Sequence, residues 1–528
     1  MKEGFRQSMA WLHTWSGLLF GWLLFAIFFT GTLSYFKEEI THWMQPEAPV
    51  RSLNAEASLG LAQRYLEQHA QGASRWFIAL PDARQPALSV SWQAPAETGQ
   101  RGQFTEKLLD PATGSELHLR ETRGGEFFYR FHFQLQMPYP WGRWLSTLAA
   151  MVMFVALVSG IIIHKKIFKD FFTFRPRKGQ RTWLDGHNAL GVLVLPFHLM
   201  ITYSSLVIFM YMVMPASILV AYQGDSDAFF KDLRPASNST PAAGQAAPLV
   251  ALEPLLKQAQ AHWPGGRVQR VTVNHPGDLN ASVQVFRHGA DRVARDFSSS
   301  VAFNGVTGQP LQASSEASLP RMIGGSFYGL HMGLFAGPVM RWLYFICGLA
   351  STAMIGTGLV IWLGKRQLKH AKTGVMPVEL RLVEVLNITS MSGLVLAVAG
   401  FFWANRLLPA GFAERADWEV NSFFILWGLS LLHASLRPGR RAWVEQLGLA
   451  ALLFTAVPLL DALTHPNLTD GFLVGGDWML AGFDLACLGS GLFLAWAARK
   501  MHRAPHAGAG GKPRSARQPA QAVETEVN

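Results

Sequence analysis

The sequence predicts a mainly α-helical membrane protein with about eight transmembrane helices. The first four form two tandem repeats, each carrying a polar α+β module. Three observations predict this. Of 528 residues, 50% are hydrophobic and only 15% are charged, well below an ordinary soluble domain. Apolar runs long enough to cross a hydrocarbon core of about 30 Å occur at about 11–35, 142–164, 186–214, 340–363, 386–408, 419–436, 443–463 and 477–497. Histidines, glycines and tryptophans recur at matched spacing through the first half.

The elements follow in order. The start, MKEGFRQSMAWLHTW, leads into a long apolar run without a small-residue cleavage site, so residues 1–44 read as a retained first span. Residues 45–138 form a first polar module, and 139–216 hold spans two and three around a basic loop. Residues 217–330 form a second polar module, 331–370 the fourth span, and 380–500 a C-terminal four-helix region. Residues 504–528, rich in Ala, Gly, Pro and Arg, read as a disordered tail. The modules mix helix-like stretches (58–70, 251–263) with strand-like ones such as RVQRVTVNH and ALSVSWQA.

The net charge of +11 does not point to nucleic acid, because the basic residues cluster beside apolar runs. Lys165, Lys166, Lys169, Arg175, Arg177, Lys178 and Arg181 lie between spans two and three. Lys365, Arg366, Lys369, His370 and Lys372 follow span four; Arg437, Arg440 and Arg441 follow span six, and Arg499, Lys500 and Arg503 follow span eight. All fall on one side if both termini are cytoplasmic, which puts both polar modules in the periplasm of a Gram-negative cell. The two cysteines, Cys347 and Cys487, offer no disulfide framework, CxxC or iron–sulfur spacing.

The duplication is the most informative feature. Span one opens with His13 to Gly17 and span three with His187 to Gly191, each just after a Trp-Leu pair. Thr30 and Ser204 lie seventeen residues past those histidines. Leu109 to Gly114 corresponds to Phe303 to Gly308, both reading as turns between strands. GGEFFYRFH, ending at His132, corresponds to GGSFYGLH, ending at His331. Arg143-Trp144-Leu145 corresponds to Arg341-Trp342-Leu343, and sixteen residues past each Trp comes Gly160 or Gly358. Both units run out and back, so an axis along the membrane normal should relate them.

His13 and His187 are then equivalents at the cytoplasmic ends of spans one and three, and His132 and His331 at the outer approaches to spans two and four. Two equivalent histidines near a pseudo-twofold axis could ligate one iron from opposite faces. A b-type haem needs such an axial pair and no CxxCH attachment. This gives one candidate site per membrane side, and crossing about 30 Å of hydrocarbon favours two redox centres over one. His198 and His164 have no repeat partner, since Leu24 and Trp362 hold those positions. His198 either replaces one of the four ligands or supports one from behind, and His164 is a further cofactor-binding candidate. Eleven residues separate His187 from His198, about 16 Å along a straight helix, too far to share one iron. Arg143 and Arg341 suit interface anchoring or haem propionates. Tyr129 and Tyr328 read as packing or as an edge near those propionates. His42 and His433 read as interface polarity, and Asp461 and Asp484 as caps or packing contacts.

Taken together, a histidine-opened span, a DPxTG-bearing outer module, a GG-F-Y-x-x-H approach and a span ending in (Ser/Thr)-Gly, all twice over, resemble the PepSY-associated transmembrane family. That family includes iron-regulated inner-membrane proteins and ferric-siderophore reductases. The resemblance covers about residues 8–368. It implies two haems b in the four-helix core, with iron ligated through His13, His187, His132 and His331. It also implies periplasmic PepSY modules that bring a ferric siderophore or other iron chelate to the outer haem for reduction to Fe(II). Fe(II) is held less tightly than Fe(III) by hard oxygen donors. No Rossmann or flavin-reductase fingerprint is visible, so the electron donor is quinol or a separate cytoplasmic reductase. Two other readings stand beside this one: a siderophore or iron transporter subunit, and a non-enzymatic PepSY regulator of a periplasmic partner.

Overall fold

The computed structural model describes residues 4–48, 54–95, 102–164, 167, 174–176, 178–233, 240–295, 299–313, 319–370, 375–465 and 477–504. Lys165, Lys166, Lys169, Arg177, Lys372 and the tail after Ala504 lie outside them.

The first repeat unit begins with α1 (Phe5–Ser34), whose thirty residues form one continuous helix, and α2 (Lys37–Met44). Its polar part is α3 (Ala55–His69), β1 (Arg75–Ala79), β2 (Leu88–Gln93) and β3 (Phe104–Leu109). The short α4 (Glu126–Gln134) then leads into α5 (Trp141–Ile163). The second unit starts with α6 (Gln180–Leu193) and α7 (Leu195–Ile208), followed by short helices α8 (Met210–Val213), α9 (Ala216–Ala221) and α10 (Ser226–Leu233). Its polar part is α11 (Leu252–Ala261), β4 (Val268–Asn274), β5 (Ser282–Arg287), β6 (Ser300–Asn304) and β7 (Pro310–Ala313). α12 (Leu319–Met332) leads into α13 (Pro338–His370).

The C-terminal region comprises α14 (Val378–Ile388), which runs through a π-turn at Thr389–Gly393 into α15 (Leu394–Leu407). α16 (Arg415–Leu436), α17 (Arg440–Thr455), α18 (Val457–Thr464) and α19 (Trp478–Arg503) complete it.

Among the described residues, six helices are long and apolar enough to cross a membrane, or seven if the bent pair α6–α7 is one span. The chain is a multi-pass membrane protein. The sixth expected span, α16, falls outside that set: its 22 residues carry Arg415, Asp417 and Glu419 at one end and interleave Asn421, Ser422, Ser430 and His433 with its apolar residues.

The straight helix expected over 186–214 is broken. α6 and α7 meet at Val194 with a bend of 67°. Pro196 follows at once; it has no N–H to continue the ladder and its ring clashes with the preceding turn. The 16 Å separation inferred for His187 and His198 therefore does not hold.

The two expected α+β modules are joined. β1 pairs antiparallel with β4, Phe77 opposite Thr272, so the two halves share one seven-stranded sheet ordered β3-β2-β1-β4-β5-β6-β7. The inward side chains alternate along the strands, with Ile78, Val90, Val271, Val273, Val283 and Val285 buried. α3 and α11 cover this face through Leu59, Leu66, Leu255 and Leu256. The repeated turns are one device used twice. Asp110 Oδ1 accepts from the N–H of Ala112 and Thr113, Asn304 Oδ1 from those of Val306 and Thr307, and each turn closes on a positive-φ glycine, Gly114 or Gly308.

Below the sheet, α1 packs on α5 and α13, α5 on α7, and α13 on α6. These helices close a four-membered bundle around the repeat axis. α14–α19 pack beside it, with α2 against α19.

Candidate functional site

The bundle brings four of the predicted histidines into two pairs. The rings of His13 (α1) and His187 (α6) lie 6.3 Å apart between centroids, at 72° to one another. Those of His132 (α4) and His331 (α12) lie 6.0 Å apart at 35°. The pairs sit at two depths: Ile27, which holds His132, is fourteen residues beyond His13 on α1, about 21 Å of helix rise. The pair of His132 and His331 is on the sheet side.

The repeat extends to each imidazole's partner. His13 Nδ1 donates to the Ala156 carbonyl at 2.8 Å and His187 Nδ1 to that of Met354 at 2.9 Å. Ala156 and Met354 are equivalent positions on α5 and α13. His132 Nδ1 donates to the Ile27 carbonyl at 2.7 Å and His331 Nδ1 to that of Ile201 at 3.1 Å. Ile27 and Ile201 are again equivalent. Hydroxyls stand beside these contacts: Ser159 and Thr357 at 3.5 and 3.3 Å from His13 and His187, and Ser204 at 3.0 Å from His331. A carbonyl accepts only from N–H, so all four rings carry their proton on Nδ1. Nε2 is left as the electron-pair donor, which is how ligating histidines are oriented.

Glycine makes room for these rings. A Cβ at Gly160 would stand 3.2 Å from His13 Cε1, and one at Gly358 would stand 3.2 Å from His187 Cε1. One at Gly31 would come within 2.4 Å of His132 Nδ1. The glycine recurrence seen in the sequence thus has a packing cause.

The remaining candidates are placed differently. His198 is fully buried, and both its nitrogens are occupied: Nε2 lies 3.2 Å from the Leu190 carbonyl and Nδ1 2.9 Å from Ser351 Oγ. The break at Val194 frees the Leu190 carbonyl from the helix ladder, and His198 satisfies it. His164 ends α5 and lies within electrostatic reach of His187. Tyr129 and Tyr328 hydrogen-bond to one another across the repeat axis. Arg341 Nη1 donates to Glu39 at 2.8 Å. Arg143 instead donates to Gln134 and stacks over Phe133 and Tyr139. The two arginines therefore do not act as an equivalent pair.

Sequence reasoning missed the pairing partners of Asp461, Asp484 and His42. Asp461 binds the buried Arg406, Asp484 accepts from Trp43 Nε1 at 3.0 Å, and His42 Nε2 lies 2.6 Å from Asp477. These contacts span segments far apart in the chain, and local spacing carries no signal for them. Outside the membrane, Asp82 faces His288 across the β1–β4 seam at 3.2 Å. Burial opposes its ionisation, but the hydrogen bonds from His288 and the N–H of Arg84 and Gln85 outweigh it and hold the carboxyl down at about 2.

Fold and site define a multi-pass membrane protein with a duplicated four-helix core and two stacked pairs of converging imidazoles. Residues 10–365 match the PepSY-associated TM region, and the chain belongs to that family. It is similar to an uncharacterized protein of Pseudomonas aeruginosa, 25% identical over 363 residues, which cover 65% of this chain and 89% of the relative. α14–α19 lie beyond the family match.

Proposed function

We propose that the protein is an inner-membrane haem b reductase that passes electrons outward to ferric chelates, such as ferric siderophores, and releases Fe(II) for uptake. In this reading both termini are cytoplasmic and the joined sheet is a periplasmic PepSY domain. The observation that carries it is the pair of His–His contacts, each made of repeat-equivalent rings held by repeat-equivalent carbonyls.

The residues fit the cofactor. A b-type haem takes imidazole donors and no covalent attachment, and each pair offers two rings, with centroids 6.3 and 6.0 Å apart, whose Nε2 is not used by the carbonyl bonds. His13, His187, His132 and His331 are half-buried residues, whereas His198 is fully buried. His13 with His187, and His132 with His331, would hold the haems. Two bound haems b would supply one-electron relays at two depths of the membrane.

The chain's own groups do the rest. The Ala156, Met354, Ile27 and Ile201 carbonyls fix the tautomer and the ring planes. Gly160, Gly358 and Gly31 let the rings lie against the facing helices. The sheet side of the bundle, at His132 and His331, is where the chelate is reduced. Fe(II) is the weaker partner for hard oxygen donors, so one-electron reduction loosens the chelate. The donor is quinol or a separate cytoplasmic reductase.

The test is an absorption spectrum of detergent-purified protein, oxidised and dithionite-reduced, with a pyridine haemochrome count. Two b-type haems per chain support the reading. A colourless protein from haem-replete cells would sink it and favour a transporter subunit or a PepSY regulator.

A further inference from the structure

A cavity of about 980 Å³ opens between the duplicated bundle, the β1–β2 turn of the sheet domain and the C-terminal helices. It is at the upper end of small-molecule pockets, which run from about 300 to 1,000 Å³. One wall comes from α15, α17 and α19, outside the family match, so the repeat does not account for it.

The cavity has two chemically distinct ends. Its deep end is apolar, walled by Leu33, Val398, Phe402, Phe454, Phe483 and Leu494. Along α19 the facing positions are Gly482, Ala486 and Ser490, four residues apart and hence on one face. They form a slot, and a Cβ at Gly482 would meet nothing within 4 Å. Its other end is a charged rim. There Arg84 donates to Glu39 through Nε and Nη2, at 2.9 and 2.7 Å, and Arg341 donates to the same carboxylate at 2.8 Å. The other rim acids have their own partners, Asp82 with His288 and Glu38 with Lys37. Arg267 and Arg295 also line the cavity, so four guanidiniums stand against the three carboxylates of Glu38, Glu39 and Asp82, and with His288 neutral, its Nδ1 accepting from the Ala290 N–H, the lining carries one net positive charge. Trp342 and Trp478, at the starts of α13 and α19, flank this rim. Tryptophans at helix ends mark headgroup depth.

We infer that the cavity binds one glycerophospholipid of the sheet-side leaflet, its phosphodiester on Arg84 and Arg341 and an acyl chain in the α19 slot. A single negative charge balances the rim, arginine forks match phosphate oxygens, and the apolar end lies on the membrane side of the tryptophans. Arg84 belongs to the sheet domain and Arg341 to α13, so the lipid would pin that domain to the bundle. Nothing in this depends on haem.

The test uses full-length protein purified in detergent and washed extensively, with extracted phospholipid counted per chain by mass spectrometry. The expected result is one phospholipid retained per wild-type chain, falling to detergent background in A486W and in G482L, which fill the slot and leave the rim intact. The R84Q/R341Q double variant should lose it as well. Monodisperse elution and an unchanged melting temperature in excess added phosphatidylglycerol identify variants that have folded. Retention in folded A486W at the wild-type level would overturn the proposal. So would wild-type protein with background phospholipid, or with a stoichiometric isoprenoid quinone in its place.

Discussion

The two repeat units differ most clearly in the helix that opens each of them. In the first, α1 runs unbroken from Phe5 to Ser34. In the second, the corresponding segment breaks at Val194 and bends by 67°. The break comes with a change of chemistry at matched positions. Leu24 and Met153 of the first unit are buried apolar residues, and their counterparts His198 and Ser351 are fully buried and bonded to each other. The paired histidines and the carbonyls that hold them stand at equivalent positions in both units, as do Gly160 and Gly358 beneath the inner pair. The comparison teaches that symmetry is kept where the two units meet in a histidine pair and abandoned where a single unit must satisfy its own backbone.

The largest expected effect breaks or confirms the pairing itself. H13A and H187A should each remove the same one of two haems, and H132A and H331A the other, in the haemochrome count. If partners within a pair lose different haems, the equivalence fails. Next comes H198L, which restores the residue of the first unit. Haem content should stay at the wild-type level, while the orphaned Leu190 carbonyl costs about 1–3 kcal/mol of stability, read as a lower unfolding temperature. Loss of a haem in this variant would instead make His198 a ligand. A smaller effect is expected for G160A and G358A. Each added methyl meets a ring carbon 3.2 Å away, so both should retain haem and shift the inner haem's reduced α band similarly. Unequal shifts would mean that the inner pair is not symmetric.

The smallest effect concerns the seam between the units. Asp82 belongs to the first unit and His288 to the second, and the Asp82 carboxyl sits at about 2, against an ordinary 3.8. A folded-state value below the unfolded one stabilises fully above the unfolded value and is lost as pH falls from about 4 towards 2. D82N should flatten the acid limb of sheet unfolding in that window, followed by circular dichroism. An acid limb identical to wild type would show that the contact contributes nothing to the seam.

Much of this was legible because duplication writes its geometry into spacing. Matched offsets from His13 to Thr30 and from His187 to Ser204, and from Trp144 to Gly160 and Trp342 to Gly358, place equivalent residues without any knowledge of packing. The joining of the two polar parts was not legible. β1 and β4 alternate inward and outward as any half-buried strand does, and nothing in that pattern names the edge each will pair with. The break at Val194 was ambiguous for a related reason: proline is tolerated within membrane helices when neighbours take up the freed backbone groups. Only the position of His198 Nε2 shows that this has happened. Arg406 with Asp461 and Trp43 with Asp484 join segments hundreds of residues or several helices apart, and composition alone cannot pair them.

The antiparallel contact between β1 and β4 has an ancestral consequence. It is the kind of self-complementary edge contact through which two identical chains meet about a twofold axis. A half-length forebear carrying one helix pair and one small sheet could have assembled by this same contact, each copy contributing one histidine to each pair. Within one chain each copy is free to differ, and the kink at Val194 is a change that a strict homodimer would have to carry twice. The two units expressed as separate polypeptides in the same cell should therefore find each other again along that strand pair.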